Sequence, residues 1–400
     1  MNKKKESKVV PNVRFKGFTD DWKQRKLGEC FTERVESMPD GELISVTIND
    51  GIRKFSELGR HDNSNDDKSK YKKVCVGDIA YNSMRMWQGA SGYSPYEGIV
   101  SPAYTVLSPN SGVNSKCLAY QFKLPGMIHT FQINSQGITS DNWNLKYPAL
   151  SEIEIFVSTY EEEQAKIAEY FENFDRLITF HQQKITLLTK LKKAMLEKMF
   201  PKKGTVIPEF RFNGFANAWE QHKLGELYQR NTERNENLIG YDKTISVATM
   251  SYKDDGNGAS ESSLSTYKVL RVGDIAFEGH TNKQFRFGRF VVNDIGTGIM
   301  SPRFSALRPL NEMPVNFWKQ YIHSESVIRG ILVKSTKAGT MMNELIIPEF
   351  LNQTIMVPSE NEQAVIGQYF ASLDNLITLH QRKIDKLKNL KKAMLDQMFI

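Results

Sequence analysis

The sequence lacks the features that mark several common classes of protein. Its three cysteines, Cys30, Cys75 and Cys117, are far apart in 400 residues, so neither a disulfide framework nor a zinc site of clustered cysteines is expected. No run of about 18 apolar residues occurs, and no apolar segment follows the basic N-terminus MNKKKESK. We therefore expect a soluble cytoplasmic protein that is not bound to a membrane.

The motifs of familiar enzymes are also missing. There is no GxxxxGK[ST] phosphate loop, no HExxH and no GxSxG. A glycine loop of the AdoMet-binding type, an NPPY tetrapeptide and a convincing PD…ExK nuclease set are absent too. These absences favour a binding or targeting role over catalysis, with no metal or cofactor on this chain.

Positive charge is in excess, with a net charge of +7 and a pI of about 9.0. This excess fits a polyanionic partner such as DNA, but an ordinary basic cytosolic protein would show it as well. The apolar fraction of 40% and the aromatic fraction of 11% are enough to form packed cores.

The chain repeats itself. PNVRFKGFTDDWKQRKLGE at residue 11 returns as PEFRFNGFANAWEQHKLGE at residue 208, and VGDIAYN at residue 76 returns as VGDIAFE at residue 272. The last shared stretch, residues 163–200 and 362–399, has 23 of 38 positions identical. Between these shared stretches the two halves differ almost completely. A shared scaffold with two unlike surfaces indicates two similar tasks on two different targets.

The repeat sets the predicted organisation. Short β-branched runs such as ISV, TVL and EIEIFV alternate with turn signals, so each half is predicted to hold a mixed α+β recognition domain with a small sheet. Each domain precedes a long helix. The predicted segments are a flexible basic N-terminus at 1–10, a first recognition domain at 11–160, a central helix at 161–203, a second recognition domain at 204–359 and a C-terminal helix at 360–400.

Both long helices carry an apolar seam whose spacing alternates between four and three residues over about five heptads. In the first helix the seam positions are Ile167, Phe171, Phe174, Ile178, His181, Ile185, Leu188, Lys192, Met195 and Met199. In the second helix they are Ile366, Phe370, Leu373, Ile377, His380, Ile384, Leu387, Lys391, Met394 and Met398.

The charge distribution predicts how these helices pair. Residues 161–180 carry a net charge of −4 and residues 181–203 a net charge of +6, while 360–379 carry −3 and 380–400 carry +4. Antiparallel pairing sets each acidic half against a basic half, so we predict an intramolecular antiparallel coiled coil with pseudo-twofold symmetry. Pairing between two chains is the alternative. The polar seam residues His181 and His380 are interpreted as register markers near the axis, and the lysine stems as pointing outward.

The segments after the GDIA stretches hold the side chains best suited to reading base edges, because Arg, Lys, Asn and Gln present the required donors and acceptors. In the first half, residues 82–93 include Arg85, Trp87 and Gln88. In the second half, residues 278–290 include His280, Asn282, Lys283, Gln284 and Arg286.

A second candidate loop comes late in each domain and is rich in Ser, Thr, Gly, Asn and Lys, which suit phosphate contacts. In residues 129–143 the candidates are Asn134, Gln136, Thr139 and Asn142. In residues 333–343 they are Lys334, Thr336, Lys337 and Asn343. An ordinary polar loop is the other interpretation of each of these residues.

Three stretches together carry a family resemblance. RFxGF…W…KLGE opens each half, GDIA lies in mid-domain, and EQxxIxxYFxxxDxLITxHQxKI…LKKAMLxxMF closes each half. This pattern resembles the specificity subunit of Type I restriction–modification systems, from about residue 11 to the end. A proline often precedes the EQ pair in that family. The second half has it in VPSENEQ, and the first half, FVSTYEEEQ, lacks it, which blurs the first boundary between domain and helix.

The resemblance implies a non-catalytic subunit that binds double-stranded DNA. Each recognition domain would read one half of an asymmetric two-part target, and the helices would fix the gap between the half-sites. The helices would also bind two adenine methyltransferase subunits, and motor–nuclease restriction subunits would join the complex. AdoMet, ATP and Mg would then be bound by those partners. A coiled-coil adaptor without DNA specificity is the alternative function.

Overall fold

The computed structural model describes residues 9–48, 51–62, 64–139, 142–202, 204–253, 255 and 261–400. Residues 1–8 of the predicted basic N-terminus lie outside this description. The chain forms two compact units, the first made of residues 1–181 with 382–400 and the second of residues 182–381. In the described ranges no helix is long and apolar enough to cross a membrane, and no group of three or more His, Cys, Asp or Glu side chains is arranged to hold a metal ion.

The first unit is a mixed α and β structure, as predicted. Its strands are β1 (Lys23–Lys26), β2 (Phe31–Glu33), β3 (Ile44–Thr47), β4 (Gly51–Lys54), β5 (Lys72–Val74), β6 (Ile79–Asn82), β7 (Ser91–Tyr93), β8 (Gly98–Val100), β9 (Tyr104–Pro109) and β10 (Glu154–Val157). Its helices are α1 (Leu27–Cys30), α2 (Ser115–Gln121), α3 (Pro125–Ile133), α4 (Tyr147–Ser151) and the start of α5 (Glu161–Lys198), with 3₁₀ turns at Phe55–Glu57 and Met86–Gln88.

An antiparallel sheet in the order β2-β9-β6-β7 forms the centre of this unit, and β3-β4, β5-β8 and β1-β10 pair beside it. The GDIA stretch is the turn into β6. Gly77 has a φ of 98°, which glycine adopts without strain. The buried Asp78 accepts hydrogen bonds from the Cys75 amide (2.8 Å) and from Arg34 Nε (2.7 Å), so one side chain closes the turn and anchors it to β2.

The second unit repeats this plan. Its strands are β11 (Glu220–Lys223), β12 (Tyr228–Arg230), β13 (Thr244–Ser246), β14 (Ser251–Lys253), β15 (Lys268–Leu270), β16 (Ile275–Glu278), β17 (Arg289–Val292), β18 (Gly298–Met300), β19 (Ala306–Pro309), β20 (Thr336–Lys337), β21 (Glu344–Leu345) and β22 (Thr354–Val357). Its helices are the end of α5, α6 (Leu224–Leu227), α7 (Val315–Tyr321), α8 (Glu325–Ser335), α9 (Ile347–Leu351) and the start of α10 (Glu360–Met398), with 3₁₀ turns at Tyr241–Lys243 and Glu261–Thr266.

The sheet orders β12-β19-β16-β17 and β14-β13-β18-β15 form the core of the second domain. Asp274 repeats the role of Asp78, because it accepts from the Arg271 amide (2.8 Å) and from Arg308 Nη2 (2.8 Å). Glu233 joins this network through Arg271 and Arg308. Hydrogen bonding from Arg271 is the main reason that the pKa of Glu233 falls to about 2.

The predicted central helix, 161–203, and α5 begin at the same residue, and the observed helix ends at Lys198. Every predicted seam position of both long helices is buried or half-buried. In the first unit Phe171 stacks on Phe399 and Asp175 binds Lys391 (2.5 Å), so α5 and α10 run antiparallel there. The second unit has the same contacts with the helices exchanged.

In the second unit Phe370 packs on Phe200, and Asp374 binds Lys192 (2.6 Å). The predicted outward orientation of the two seam lysines is therefore wrong. The ammonium groups of Lys192 and Lys391 bind aspartates instead, because the facing helix carries a carboxylate within reach of each, Asp374 for Lys192 and Asp175 for Lys391. Asp175 also accepts from Tyr120 of α2 (2.8 Å), so the ion pair connects the recognition domain to the helices as well.

A buried carboxylate joins the opening motif of each half to its long helix. Glu163, which is fully buried, accepts two hydrogen bonds from Arg14 (2.5 and 2.8 Å) and one each from Trp22 and Ser158. In the second unit Glu362 accepts two from Arg211 (2.6 and 2.7 Å). The RFxGF and EQ motifs thus recur together because they are the two sides of one ion pair.

The same opening segment reaches the end of the other long helix. The Val13 amide donates to the Gln397 carbonyl (2.9 Å) in the first unit, and the Phe210 amide donates to the Lys198 carbonyl (2.9 Å) in the second. Both contacts satisfy a carbonyl in the last turn of a helix, where no intrahelical partner remains. The missing proline of the first half has no effect on the boundary, since α5 and α10 start at equivalent residues, Glu161 and Glu360.

We expect Arg14→Ala to lower the free energy of unfolding by about 3–5 kcal/mol, because it leaves the Glu163 charge buried without its cation. Urea unfolding of the purified chain measures this. Arg25→Ala is the matched control, since Arg25 faces Glu29 at 3.6 Å on the surface and should contribute less than about 1 kcal/mol. Adding Glu163→Gln to Arg14→Ala should restore part of the loss. Equal effects of Arg14→Ala and Arg25→Ala would contradict the assignment.

Candidate nucleic-acid interface

The two candidate segments of the first domain, distant in sequence, meet in the structure. The Leu145 amide donates to the Ser83 carbonyl (2.9 Å). Next to this bond the Trp87 and Trp143 rings pack edge to face, with centroids 5.2 Å apart. Trp87 Nε1 donates to the Met84 carbonyl of its own segment (3.0 Å), so its N–H is already engaged, and the packing of its ring on Trp143 joins the two segments.

The second domain joins its two segments with different residues. The Asn343 amide donates to the Gly279 carbonyl (2.9 Å), and Asn343 Nδ2 donates to the Arg286 carbonyl (3.4 Å). A Cβ at position 279 would lie 2.0 Å from the Asn343 oxygen, so glycine alone fits this approach. Each domain therefore presents one continuous surface built from the segment after β6 or β16 and the late segment.

Most of the predicted DNA-contacting side chains are exposed on the two domains. The exposed ones are Arg85, Gln136, Thr139, Asn142, His280, Asn282, Lys283, Gln284, Arg286, Lys334 and Lys337. The half-buried ones are Trp87, Gln88, Asn134, Thr336 and Asn343.

Some of these side chains are already engaged within their own domain. Asn134 Nδ2 donates to the Thr130 carbonyl and Thr336 Oγ1 to the Leu332 carbonyl, while Lys337 pairs with Glu344 at 3.0 Å. Asn282 Oδ1 accepts from two amides of its own loop. The expectation that the late segments are entirely loops is wrong, because Lys334 lies in α8, and Thr336 and Lys337 form β20.

A third segment, which the sequence analysis did not identify, adjoins the first domain's surface. The ammonium of Lys123, just after α2, donates to the Gly89 carbonyl (2.6 Å) and to the Ile48 carbonyl (3.1 Å). Gly89 follows the 3₁₀ turn Met86–Gln88, which comes directly after Arg85, and Ile48 follows β3. One cation thus ties the end of β3 to the candidate recognition segment.

The second domain makes the corresponding connection with other residues. Arg289 donates to the Ala248 carbonyl (2.8 Å) in the turn between β13 and β14, and its guanidinium lies over the Phe285 ring at 5.2 Å. His323, equivalent in the repeat to Lys123, lies 3.0 Å from the Phe290 carbonyl and packs on the Phe285 ring. The sequence does contain a signal for the hairpin of β3 and β4 in the first domain, since NDG at residues 49–51 between two β-branched runs is typical of a hairpin.

Burial shifts the titration of both anchoring groups. It lowers the pKa of Lys123 to about 8, with a smaller effect of the same sign from Lys391. Burial also lowers the pKa of His323 below its ordinary value.

Stability should therefore depend on pH through Lys123. Between pH 8 and the ordinary lysine value of 10.5, the unfolded chain binds more protons than the folded chain at this group. Its contribution to the free energy of unfolding then rises with pH across that window and is constant below it. Urea unfolding at a series of pH values should show the wild type gaining on Lys123→Met from pH 8 upward. Parallel curves would contradict this, and Lys70→Met, at an exposed position, is the control.

Comparison with known proteins agrees with this architecture. A family model described as Type I restriction modification DNA specificity domain matches residues 19–190 and 287–389. The chain is 24% identical over 365 residues to the specificity subunit of the Type I restriction enzyme MjaVIII from Methanocaldococcus jannaschii, covering 82% of this chain and 81% of that protein.

Two solved structures share the fold. The crystal structure of a Type I restriction–modification S subunit from M. genitalium matches with a TM-score of 0.61 and 14% identity, over 98% of this chain and 99% of that one. A chain from a structure of complex assembly and conformational transition of a type I R-M system matches with a TM-score of 0.52 and 15% identity, over 97% and 99%. Since the family model covers more than half of the sequence, the chain belongs to the family of Type I restriction modification DNA specificity domains.

Proposed function

We propose that this chain is the subunit that selects the DNA target of a Type I restriction–modification complex. Each recognition domain reads one half of an asymmetric two-part sequence in double-stranded DNA. The observation that carries this proposal is the pair of composite surfaces described above. Equivalent segments meet at equivalent places in the two domains, yet the side chains that they expose differ.

The exposed groups suit the two kinds of contact that DNA recognition requires. Arg85 in the first domain and Arg286 in the second can donate to guanine O6 and N7 in the major groove. Nearby lysines such as Lys283 and Lys334 suit phosphate contacts, which supply affinity that falls with salt. An adaptor that binds only proteins would have no need for two unlike polar surfaces on one scaffold.

We place the chemistry of the complex on partner subunits. Two adenine methyltransferase subunits would bind AdoMet, and motor–nuclease subunits would use ATP and Mg. The acidic residues found at equivalent positions of both halves are paired with arginines, which supports a structural role for them. Glu163, Glu362, Asp78 and Asp274 are all bound to arginines within the fold.

The two recognition domains should be separable by mutation. We expect Arg85→Ala to relax one half-site and Arg286→Ala to relax the other, each by about ten- to hundredfold at one base pair, because a lost bidentate contact removes discrimination at that pair alone. Sequencing of methylated adenines in cells that carry the complex reads out both half-sites.

The wild-type map is the reference, and each variant is the control for the other. A uniform loss of methylation at all sequences would reduce the arginine to a phosphate contact. A wild-type complex that leaves no two-part methylated motif, and that does not bind duplex DNA, would favour the adaptor function instead.

Exposed leucines indicate where the methyltransferase subunits bind. In the first unit Leu177 of α5 and Leu390 of α10 are exposed, and in the second unit the equivalent residues Leu376 and Leu191 are exposed, all between 38% and 49%. The antiparallel register places each pair at about the same level of its two helices. Because the same apolar pair occurs once in each unit, we propose that each unit binds one copy of the same partner.

Replacing one leucine should then remove one partner copy. Burying a leucine contributes about 1.5–3 kcal/mol, so Leu177→Asp and Leu376→Asp should each weaken one site by at least about tenfold. Native mass spectrometry of the assembled complex should show two methyltransferase subunits in the wild type, one in each variant and none in the double variant. Leu238→Asp changes an exposed leucine of the second recognition domain and should leave two. Full occupancy in the double variant would contradict the assignment.

A further inference from the structure

A buried carboxylate lies beneath the candidate recognition surface of the second domain. Glu278 is the last residue of β16 and is 5% exposed. Among the described residues the carboxylate of Glu278 hydrogen-bonds to one partner, His280. The side chain of His280 is 54% exposed. Oε1 of Glu278 lies 2.5 Å from His280 Nδ1 and 3.1 Å from the His280 amide nitrogen.

The neighbouring backbone keeps this pair in place. Gly279, between the two residues, is fixed by the Asn343 amide and has no room for a Cβ. The late segment therefore holds the backbone from which the imidazole projects. A buried carboxylate that is not hydrogen-bonded is costly, so the ring that satisfies it is held as well.

The equivalent position in the first domain shows what is specific to the second. Asn82 Oδ1 accepts from the Met84 amide (3.0 Å), as Glu278 Oε1 accepts from the His280 amide. Met84, however, has no ring nitrogen and offers no second donor. The bond to the amide belongs to the shared scaffold, and the bond to Nδ1 is an addition of the second domain.

We propose that Glu278 holds His280 in the tautomer with its proton on Nδ1, so that Nε2 accepts a hydrogen bond from the exocyclic amine of an adenine or cytosine in the half-site read by the second domain. This inference rests on the proposed function. A carboxylate accepts and does not donate, so a neutral imidazole that bonds to it through Nδ1 carries its single N–H there. Nε2 is then an acceptor.

The chemistry of the major groove determines what such an acceptor selects. Adenine N6 and cytosine N4 are the amine donors on base edges in that groove, whereas guanine and thymine present acceptors at the corresponding positions. His280 thus discriminates by hydrogen-bond polarity, and Glu278 is a positioning residue that acts through it.

Methylated-adenine maps of cells with the full complex test this. His280→Ala should relax one base pair of one half-site by about ten- to hundredfold, with the other half-site intact. Glu278→Leu, which removes the acceptor, should relax the same position. Glu278→Gln should preserve the motif. The backbone amide of His280 donates to the side-chain oxygen at position 278, so the glutamine oxygen should stay in place and accept the Nδ1 proton. Met84→Ala, the matched change in the first domain, should leave this half-site unaltered.

The tautomer is measured separately on the full-length chain. Long-range ¹⁵N–¹H spectra of histidine-labelled protein at slightly alkaline pH, with the His280 signal assigned by its loss in His280→Ala, should show the proton on Nδ1. Glu278→Leu should lose this preference. A purely structural role for Glu278 would weaken methylation without changing the preferred base or the tautomer.

The remaining outcomes are decisive. A proton on Nε2, or a motif that His280→Ala leaves unchanged, would overturn the inference while the proposed function stands. A wild-type complex that leaves no two-part motif would overturn the proposed function, and with it this inference.

Discussion

The fold depends on one interaction that occurs twice, the buried ion pair between the opening motif of each half and the first turn of its long helix. Glu163 and Glu362 are at most 1% exposed, and each is bound through two oxygens by an arginine about 150 residues away. A carboxylate at that depth is tolerated only with its full set of donors. The domain termini, the strand before the helix and the helix start must therefore assemble together.

Between these two ion pairs, the halves make equivalent contacts with different residues. The first domain joins its recognition segments through two tryptophans and anchors them with Lys123. The second uses a glycine–asparagine contact, and an arginine and a histidine take the anchoring role. The contacts that stabilise the scaffold are the same in both halves, namely those of the aspartate in the GDIA turn and the ion pairs at the helix seam. The residues that differ between the halves include those of the two composite surfaces.

Periodicity and repetition predict the two long helices and their seam, because those features depend on local sequence. Contacts between distant segments could not be predicted in the same way. Nothing in the sequence near Gly279 indicates that Asn343 will occupy the space of its missing side chain. The seam lysines were misjudged because their partners, Asp175 and Asp374, lie on the facing helix at a spacing that the charge totals do not reveal. The anchoring roles of Lys123 and Arg289 likewise depend on turns that are remote in sequence.

The division of the chain into units has a consequence for its synthesis. The second unit, residues 182–381, is continuous, so all of it is synthesised before residues 382–400. The first unit begins earlier but includes residues 382–400, and Phe399 stacks on Phe171 and contacts Trp22 in its core. The first unit can therefore be completed only after residues 382–400 have been made. A product that lacks residues 382–400 would have a whole second unit and a first unit with an exposed apolar face, a state that chaperones and proteases recognise.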